Sequence, residues 1–268
     1  MEERTSSRIS QIKYNDEYEQ TYKYGDDGNV KSYNDGQYNA SYTYDINNRL
    51  VREDNSFMGE NNEGYTWIYA YDDSGNRIKE KKYYYAPGKK ESEMTLLEEK
   101  EYTYVDDKLT KIVTMPVGKA STTEQITYDA LKNTLQHKQN ALQWKKDKQL
   151  VQYGNKVTYA YNAEGIRIRK TVLGVEHKYF VEGTTIHGEV VGENKYTYYY
   201  DGSGVIGMSV NEDLYYFQKN AFGDVIRIYD TNTNLVAKYY YDAWGNNNVE
   251  IVSGIDNANH VGHINPFR

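Results

Sequence analysis

Two histidines, His260 and His263, lie three residues apart with Asp256 nearby, and this spacing could hold a metal ion. On a helix, side chains three apart share one face, so both imidazoles could reach one ion. The surrounding string SGIDNANHVGHINPFR shows no helical apolar periodicity and no third ligand. We therefore interpret the histidines as loop or strand surface and predict no metal site.

Pairs of adjacent aspartates could suggest calcium. None of the pairs has the spacing and terminal glutamate of an EF-hand loop, so we interpret them as turn-capping residues. The pairs are Asp26 with Asp27, Asp72 with Asp73, and Asp106 with Asp107.

Residues for covalent or acid–base catalysis do not form a readable pattern. The chain has no cysteine, no Gly-x-Ser-x-Gly sequence, and no glycine-rich loop that opens a helix. We therefore predict no catalytic residue and no cofactor, and interpret the chain as not an enzyme. The net charge of -7 argues against a nucleic-acid partner, because binding phosphates requires a basic face.

What the chain does repeat is tyrosine. It contains 31 tyrosines, many of them in a unit of the form Tyr-x-Tyr-(Asp)-x-x-(Gly/Asn), for example YTYDINNRL and YAYDDSGNRI. The tyrosine pairs that we assign to the repeats are Tyr22 and Tyr24, Tyr42 and Tyr44, Tyr69 and Tyr71, Tyr102 and Tyr104, Tyr159 and Tyr161, Tyr198 and Tyr200, and Tyr239 and Tyr241.

Each unit ends in residues that favour a turn. Four positions after the second tyrosine, the clear copies carry a residue that tolerates positive φ. These residues are Gly28, Asn48, Gly75, Gly165, Gly204 and Gly245. An acidic, Asn or Gly residue after the tyrosine suits the first position of a type I turn. We therefore predict that each unit is the corner of a β-hairpin.

Tyrosines two apart point to the same face of a strand, so stacked hairpins would stack their rings. The repeat recurs about every 20 residues, which is typical of repeat architectures. The chain contains only 3 prolines, which leaves long stretches free to pair in ladders. We predict an all-β fold of consecutive antiparallel hairpins in a curved or spiralling sheet, as one array over residues 1–268. An irregular insertion is predicted over about 81–101, where we expect disorder.

The ordered series of units resembles the YD repeat of bacterial Rhs and wall-associated proteins, which toxin-complex shells and teneurins share. The run from YYYDGSGVI through YYYDAWGNN to INPFR, within residues 196–268, is similar to the segment leading into the Rhs-associated core. The resemblance implies a β-sheet that spirals into a hollow shell around a C-terminal toxin or effector domain. Its implied partners are the rest of the shell and that enclosed domain.

The resemblance also implies a fragment of shell wall, since the family continues beyond the NPFR element. On this interpretation the chain is a non-catalytic part of a secreted or cell-surface bacterial protein, with no membrane span, and no self-cleaving residue carries over. A binding module remains the alternative: exposed tyrosines could stack on the sugar rings of cell-surface glycans. Wall-binding repeats of that kind are usually more regular and richer in tryptophan than this chain, which has 3 tryptophans.

Overall fold

The fold was analysed in a computed structural model, which describes residues 8–14, 18–57, 63–146 and 148–268. Within these residues the chain is almost entirely strands, joined in sequence order by short turns. Within each of two sheets, every strand pairs antiparallel with its neighbours in the chain. The predicted all-β fold of consecutive hairpins is confirmed.

The first sheet contains ten strands in the order β1 to β10. They are β1 (Gln11–Tyr14), β2 (Tyr18–Tyr24), β3 (Val30–Asn34), β4 (Asn39–Tyr44), β5 (Leu50–Asn55), β6 (Tyr65–Tyr71), β7 (Arg77–Tyr84), β8 (Leu96–Val105), β9 (Lys108–Pro116) and β10 (Thr122–Gln125). A 3-10 turn at Glu91–Glu93 precedes β8.

The second sheet contains the remaining strands, again in chain order. They are β11 (Gln136–His137), β12 (Asn140–Lys145), β13 (Gln149–Tyr153), β14 (Val157–Tyr161), β15 (Arg167–Val172), β16 (Val175–Glu182), β17 (Thr185–Val191), β18 (Asn194–Asp201), β19 (Gly204–Val210), β20 (Asp213–Lys219), β21 (Val225–Tyr229), β22 (Leu235–Tyr241) and β23 (Asn247–Ile251). One short helix, α1 (Val261–Ile264), follows.

The hydrogen-bonded ladder is interrupted once among the described strands, between β10 and β11. The stretch between them contains an isolated bridge between Tyr128 and Thr134 in place of a strand pair. The array therefore consists of two open sheets, whereas the sequence suggested one strip. That the two sheets form a single domain remains a prediction.

The segment 81–101, predicted as an irregular insertion, comprises the end of β7, the start of β8 and the connection between them, which contains the 3-10 turn. Opposite charges on β7 and β8 meet across the ladder: Lys79 Nζ lies 2.6 Å from Glu99 Oε1, and Lys100 Nζ lies 3.1 Å from Glu80 Oε1. In the sequence these residues form blocks of charge that break the repeat rhythm. Antiparallel pairing brings the blocks face to face, so β7 and β8 form a hairpin ladder on either side of that connection.

The best-buried core lies near the C-terminus. Met208, Ile228 and Ala237 are fully buried there, together with the rings of Tyr198 and Tyr239. The segment after β23 covers this face: the Phe267 ring meets Tyr198 edge-on with centroids 5.0 Å apart. The strands in this core are thus buried because the segment after β23 packs on them as a second layer.

Candidate functional site

The repeat corners are built by the residues that the sequence singled out. Gly75 has a φ of +89° and Asn48 a φ of +60°. The other assigned residues also have positive φ, namely Gly28, Gly165, Gly204 and Gly245. At most of these corners the register shifts immediately before the second tyrosine, for example between Ala70 and Tyr71. Such a bulge increases the local twist, which helps a sheet to curve.

The aspartate of the motif holds the corner through hydrogen bonds. At Asp72, the Oδ1 atom accepts from the Asn76 backbone N–H at 2.8 Å, and Oδ2 accepts from the Asn76 amide at 3.0 Å. These donors lower the pKa of the Asp72 carboxyl, the Asn76 side chain first. The adjacent aspartates therefore act within turns. No group of three or more potential metal ligands occurs in the described parts of the chain.

The second tyrosine of each unit ties its hairpin to the preceding one. Its hydroxyl donates a hydrogen bond to a backbone carbonyl at, or just before, the start of the preceding outgoing strand, at distances from 2.7 to 3.1 Å. The ties join Tyr24 to Ile9, Tyr44 to Val30, Tyr71 to Leu50, Tyr104 to Arg77, Tyr161 to Leu150, Tyr200 to Ile186 and Tyr241 to Val225. Phenylalanine could not make this bond, which explains why the second aromatic is tyrosine.

The first tyrosines are buried to different extents. Tyr22, Tyr69, Tyr198 and Tyr239 are buried, whereas Tyr42, Tyr102 and Tyr159 are partly exposed. The difference follows from what lies over each ring.

The two sheets meet along a seam, where the corners of β20–β21 and β22–β23 press on the first sheet. The Tyr38 and Tyr240 rings lie 5.6 Å apart, and the Tyr69 and Trp244 rings 5.4 Å apart. The Tyr38 hydroxyl donates to the Tyr241 carbonyl at 2.7 Å. Residues about 200 positions apart in the chain are therefore in direct contact.

A buried carboxyl lies within this seam. Both oxygens of Glu53 accept from the Ala243 backbone N–H at 3.1 Å, and Asn55 Nδ2 donates to Oε1 at 3.0 Å. Burial raises the pKa of Glu53 to about 7, although these donors act in the opposite direction. Sequence reasoning missed Glu53, because it stands in an ordinary charged stretch of β5.

Cationic side chains cover several ring faces on the same surface. The Arg77 guanidinium lies 4.4 Å from the centre of the Trp244 ring and 5.0 Å from that of Tyr102. The Lys82 ammonium lies 3.5 Å from the centre of the Tyr65 ring. These cation–π contacts occupy faces that a sugar would need, so they weigh against glycan stacking here.

The histidine pair differs in part from its sequence interpretation. His260 caps the short helix α1, where its Nδ1 accepts from the Gly262 backbone N–H at 3.1 Å, and His263 lies inside that helix. His263 Nε2 lies 2.7 Å from Asp256 Oδ1. The prediction of loop or strand surface missed this helix, because four residues are too few to show a helical period.

Comparison with known proteins provides relatives over part of the chain. Over 134 residues it is 36% identical to the tRNA3(Ser)-specific nuclease WapA of Bacillus spizizenii and 34% identical to the tRNA nuclease WapA of Bacillus subtilis strain 168. Each match covers 46% of this chain and 6% of the relative. The chain thus spans a small part of these proteins. No family model matches it.

The interpretation of the chain as not an enzyme is contradicted by these relatives, which are named as nucleases. The error came from treating the lack of a readable catalytic pattern as evidence against activity. A repeat array shows its architecture in sequence far more strongly than any chemistry associated with it.

Among solved structures, the chain resembles the Photorhabdus luminescens Tc holotoxin pore carrying the TccC3 D651A mutation. The TM-score is 0.52 at 14% identity, and the match covers 86% of this chain and 14% of that one. At this identity the likeness concerns the fold alone. The repeated corners, the open antiparallel sheets and these likenesses together confirm the resemblance of the chain to YD-repeat arrays of the Rhs and wall-associated type.

Proposed function

We propose that this YD-repeat array is part of the wall of a shell that encloses a nuclease domain and helps to deliver it. The whole protein would act on tRNA, as the names of its relatives state for those proteins. We further propose that it acts at the cell surface or after secretion. In the described residues, no helix has the length and apolar character needed to cross a membrane.

The seam is the observation that carries this proposal. It folds the strip back so that the first sheet rests on the corners of β20–β21 and β22–β23. A flat repeat array for surface binding would not need contacts between residues so distant in the chain. A wall that surrounds something must curve, and the bulged corners, tyrosine ties and seam all produce curvature.

Charge is compatible with this role. A domain that binds tRNA needs a basic face, because it must neutralise phosphates. The array has a net charge of -7, so its field would attract such a domain and repel the RNA outside. The sequence argument against a nucleic-acid partner would then apply to the wall itself.

The proposal can be tested on the protein encoded by the complete reading frame. We expect limited proteolysis to leave the enclosed domain intact, and tRNA cleavage to rise when the shell is opened. A double variant, Tyr38→Ala with Tyr240→Ala, should open the seam, because each ring packs against the other. Tyr84→Ala is the matched control, since Tyr84 is 49% exposed.

Protease resistance would be followed by gel electrophoresis, and tRNA cleavage on a labelled transcript. Equal protection and equal cleavage in the seam variant and the control would contradict enclosure. Absence of tRNA cleavage from both the intact and the opened protein would contradict the nuclease proposal. Glycan binding stays a prediction, which no contact described above favours.

A further inference from the structure

A cavity of about 360 Å³ lies in the seam, between the β3–β4 hairpin and the corners of β20–β21 and β22–β23. Its wall is largely aromatic and includes the rings of Tyr33, Tyr42, Tyr44 and Phe222. Phe222 is 58% exposed, so the cavity opens at that side. The volume is within the range of small-molecule sites in proteins.

Three carboxyl groups also line this cavity: Asp35, Asp224 and Asp242. No lysine, arginine or histidine is among its lining residues. Within the described ranges, none of the three aspartates takes part in an ion pair at 4.0 Å or less. They accept from neutral donors instead, as Asp35 does from the Tyr38 backbone N–H at 2.7 Å.

The lining thus carries three carboxyl groups and no cationic side chain, and two of these carboxyls act on neighbouring phenols. The pKa of Tyr33 is raised, first by burial and then by the charge of Asp35. The pKa of Tyr241 is raised by burial and by the charge of Asp224. Burial opposes a cation as much as a phenolate, so only the carboxylates among these causes favour a cation.

Elsewhere the same chain fills this kind of environment with its own cations. Arg227 lies 3.3 Å from the centre of the Tyr18 ring. Arg77 stands among Tyr69, Tyr102 and Trp244 with Glu80 as its ion-pair partner at 3.2 Å. The seam cavity has rings and carboxylates of the same types, without a cationic side chain of its own.

We propose that this cavity binds an organic cation of the alkylammonium or guanidinium class. The rings would contact the cation through their negative faces, and the three carboxylates would supply the long-range attraction. The open side at Phe222 would admit the charged end of a flexible molecule or side chain. This inference does not depend on the enclosure of a nuclease.

Isothermal titration of the purified chain tests it, with n-butylammonium and n-butylguanidinium as probes and n-butanol as the neutral control. We expect both cations to bind and the alcohol not to bind. The double variant Asp35→Asn with Asp224→Asn should weaken cation binding at least tenfold, because it removes two charges. The turns should persist, because asparagine keeps the Oδ1 atom with which Asp35 accepts from the Tyr38 backbone N–H, and asparagine already stands at the position equivalent to Asp224 in another corner, as Asn76.

Asp72→Asn is the matched control, because it makes the same change at a corner outside the cavity and should leave affinity unchanged. Among the rings, Tyr42→Leu should weaken binding and Tyr42→Phe should retain it. Thermal unfolding checks that each variant is folded, and chemical-shift changes in the wild type locate the probe. Equal binding of alcohol and cations, or binding unaffected by the double aspartate variant, would overturn the proposal.

Discussion

The repeats near the C-terminus and those in the middle of the chain share one motif but differ in burial. In β18–β23 the side chains of Met208, Val225 and Ile228 are almost fully enclosed. Among the described residues of strands β11 to β17, Gly188 alone is buried. Both regions have corners with positive φ and tyrosine ties of 2.7 to 2.8 Å.

The difference comes from the second layer. α1 and Phe267 cover the C-terminal strands, where the Tyr239 hydroxyl donates to the Gly262 carbonyl at 2.7 Å. Asn265 Nδ2 in turn donates to the Tyr239 hydroxyl at 3.2 Å. The comparison shows that the motif determines the corner, whereas the layer packed on the sheet determines how much each residue stabilises it.

The largest expected contrast is between two core truncations. Ile228→Ala should lower the free energy of unfolding by about 4 kcal/mol, because it leaves a cavity among enclosed side chains. Leu150→Ala, in the half-buried β13, should cost only about 1 kcal/mol because water already reaches the site. Urea denaturation followed by circular dichroism measures both. Equal losses of unfolding free energy in the two variants would contradict the conclusion that the covering layer determines how much a residue stabilises the sheet.

The seam should make stability depend on pH. Glu53 has a pKa raised to about 7, against an ordinary value of 4.5. The folded chain therefore binds the proton more tightly than the unfolded chain does. Relative to Glu53→Gln, the wild type should lose about 3 kcal/mol of stability as pH rises from about 4.5 to 7, with no further loss above.

Denaturation of both proteins across this range gives that difference, which isolates Glu53 from the other carboxyls. Asp242 and Tyr69 also act on Glu53, and both are retained in the variant. A constant difference between wild type and variant would show that Glu53 does not titrate in the seam.

Corner strain should be similar in the two regions. Gly245→Val and Gly165→Val each place a β-branched residue at a φ above +80°, which should cost about 2 kcal/mol. A Cβ at Gly245 would meet nothing within 4 Å, so the cost there comes from the backbone. Gly202→Val is the control, since Gly202 has an ordinary φ and open space. Thermal unfolding should separate the first two variants from the third.

The smallest expected contrast concerns the tyrosine ties. Tyr241→Phe should cost about 1 kcal/mol, because the Val225 carbonyl is buried and would lose its partner. Tyr161→Phe should cost about half as much or less, since water can replace the hydroxyl at the more open Leu150 carbonyl. Chemical denaturation of the two variants, compared with wild type, measures both. A larger loss at Tyr161 would contradict this ranking.

Several features could be predicted from residues alone because they are local. Glycine or asparagine four positions after a tyrosine indicates a turn, since few other residues adopt positive φ readily. The charged block around residue 81 misled the sequence interpretation, because its charges are neutralised by residues on the neighbouring strand, which the local sequence does not reveal. The seam, Glu53 and the cation contacts of Arg77 had no local signal.

The sequence by itself determined the corner, the strand direction and the antiparallel order, because turn geometry and side-chain alternation act over fewer than about ten residues. Only the tertiary structure decided which rings are buried, which carboxyl changes its pKa and where a cavity forms. Those properties depend on surfaces about 200 residues apart coming into contact, as Tyr38 and Tyr241 do. Local propensity carries no information on such contacts, since they arise from the accumulated curvature of the whole strip.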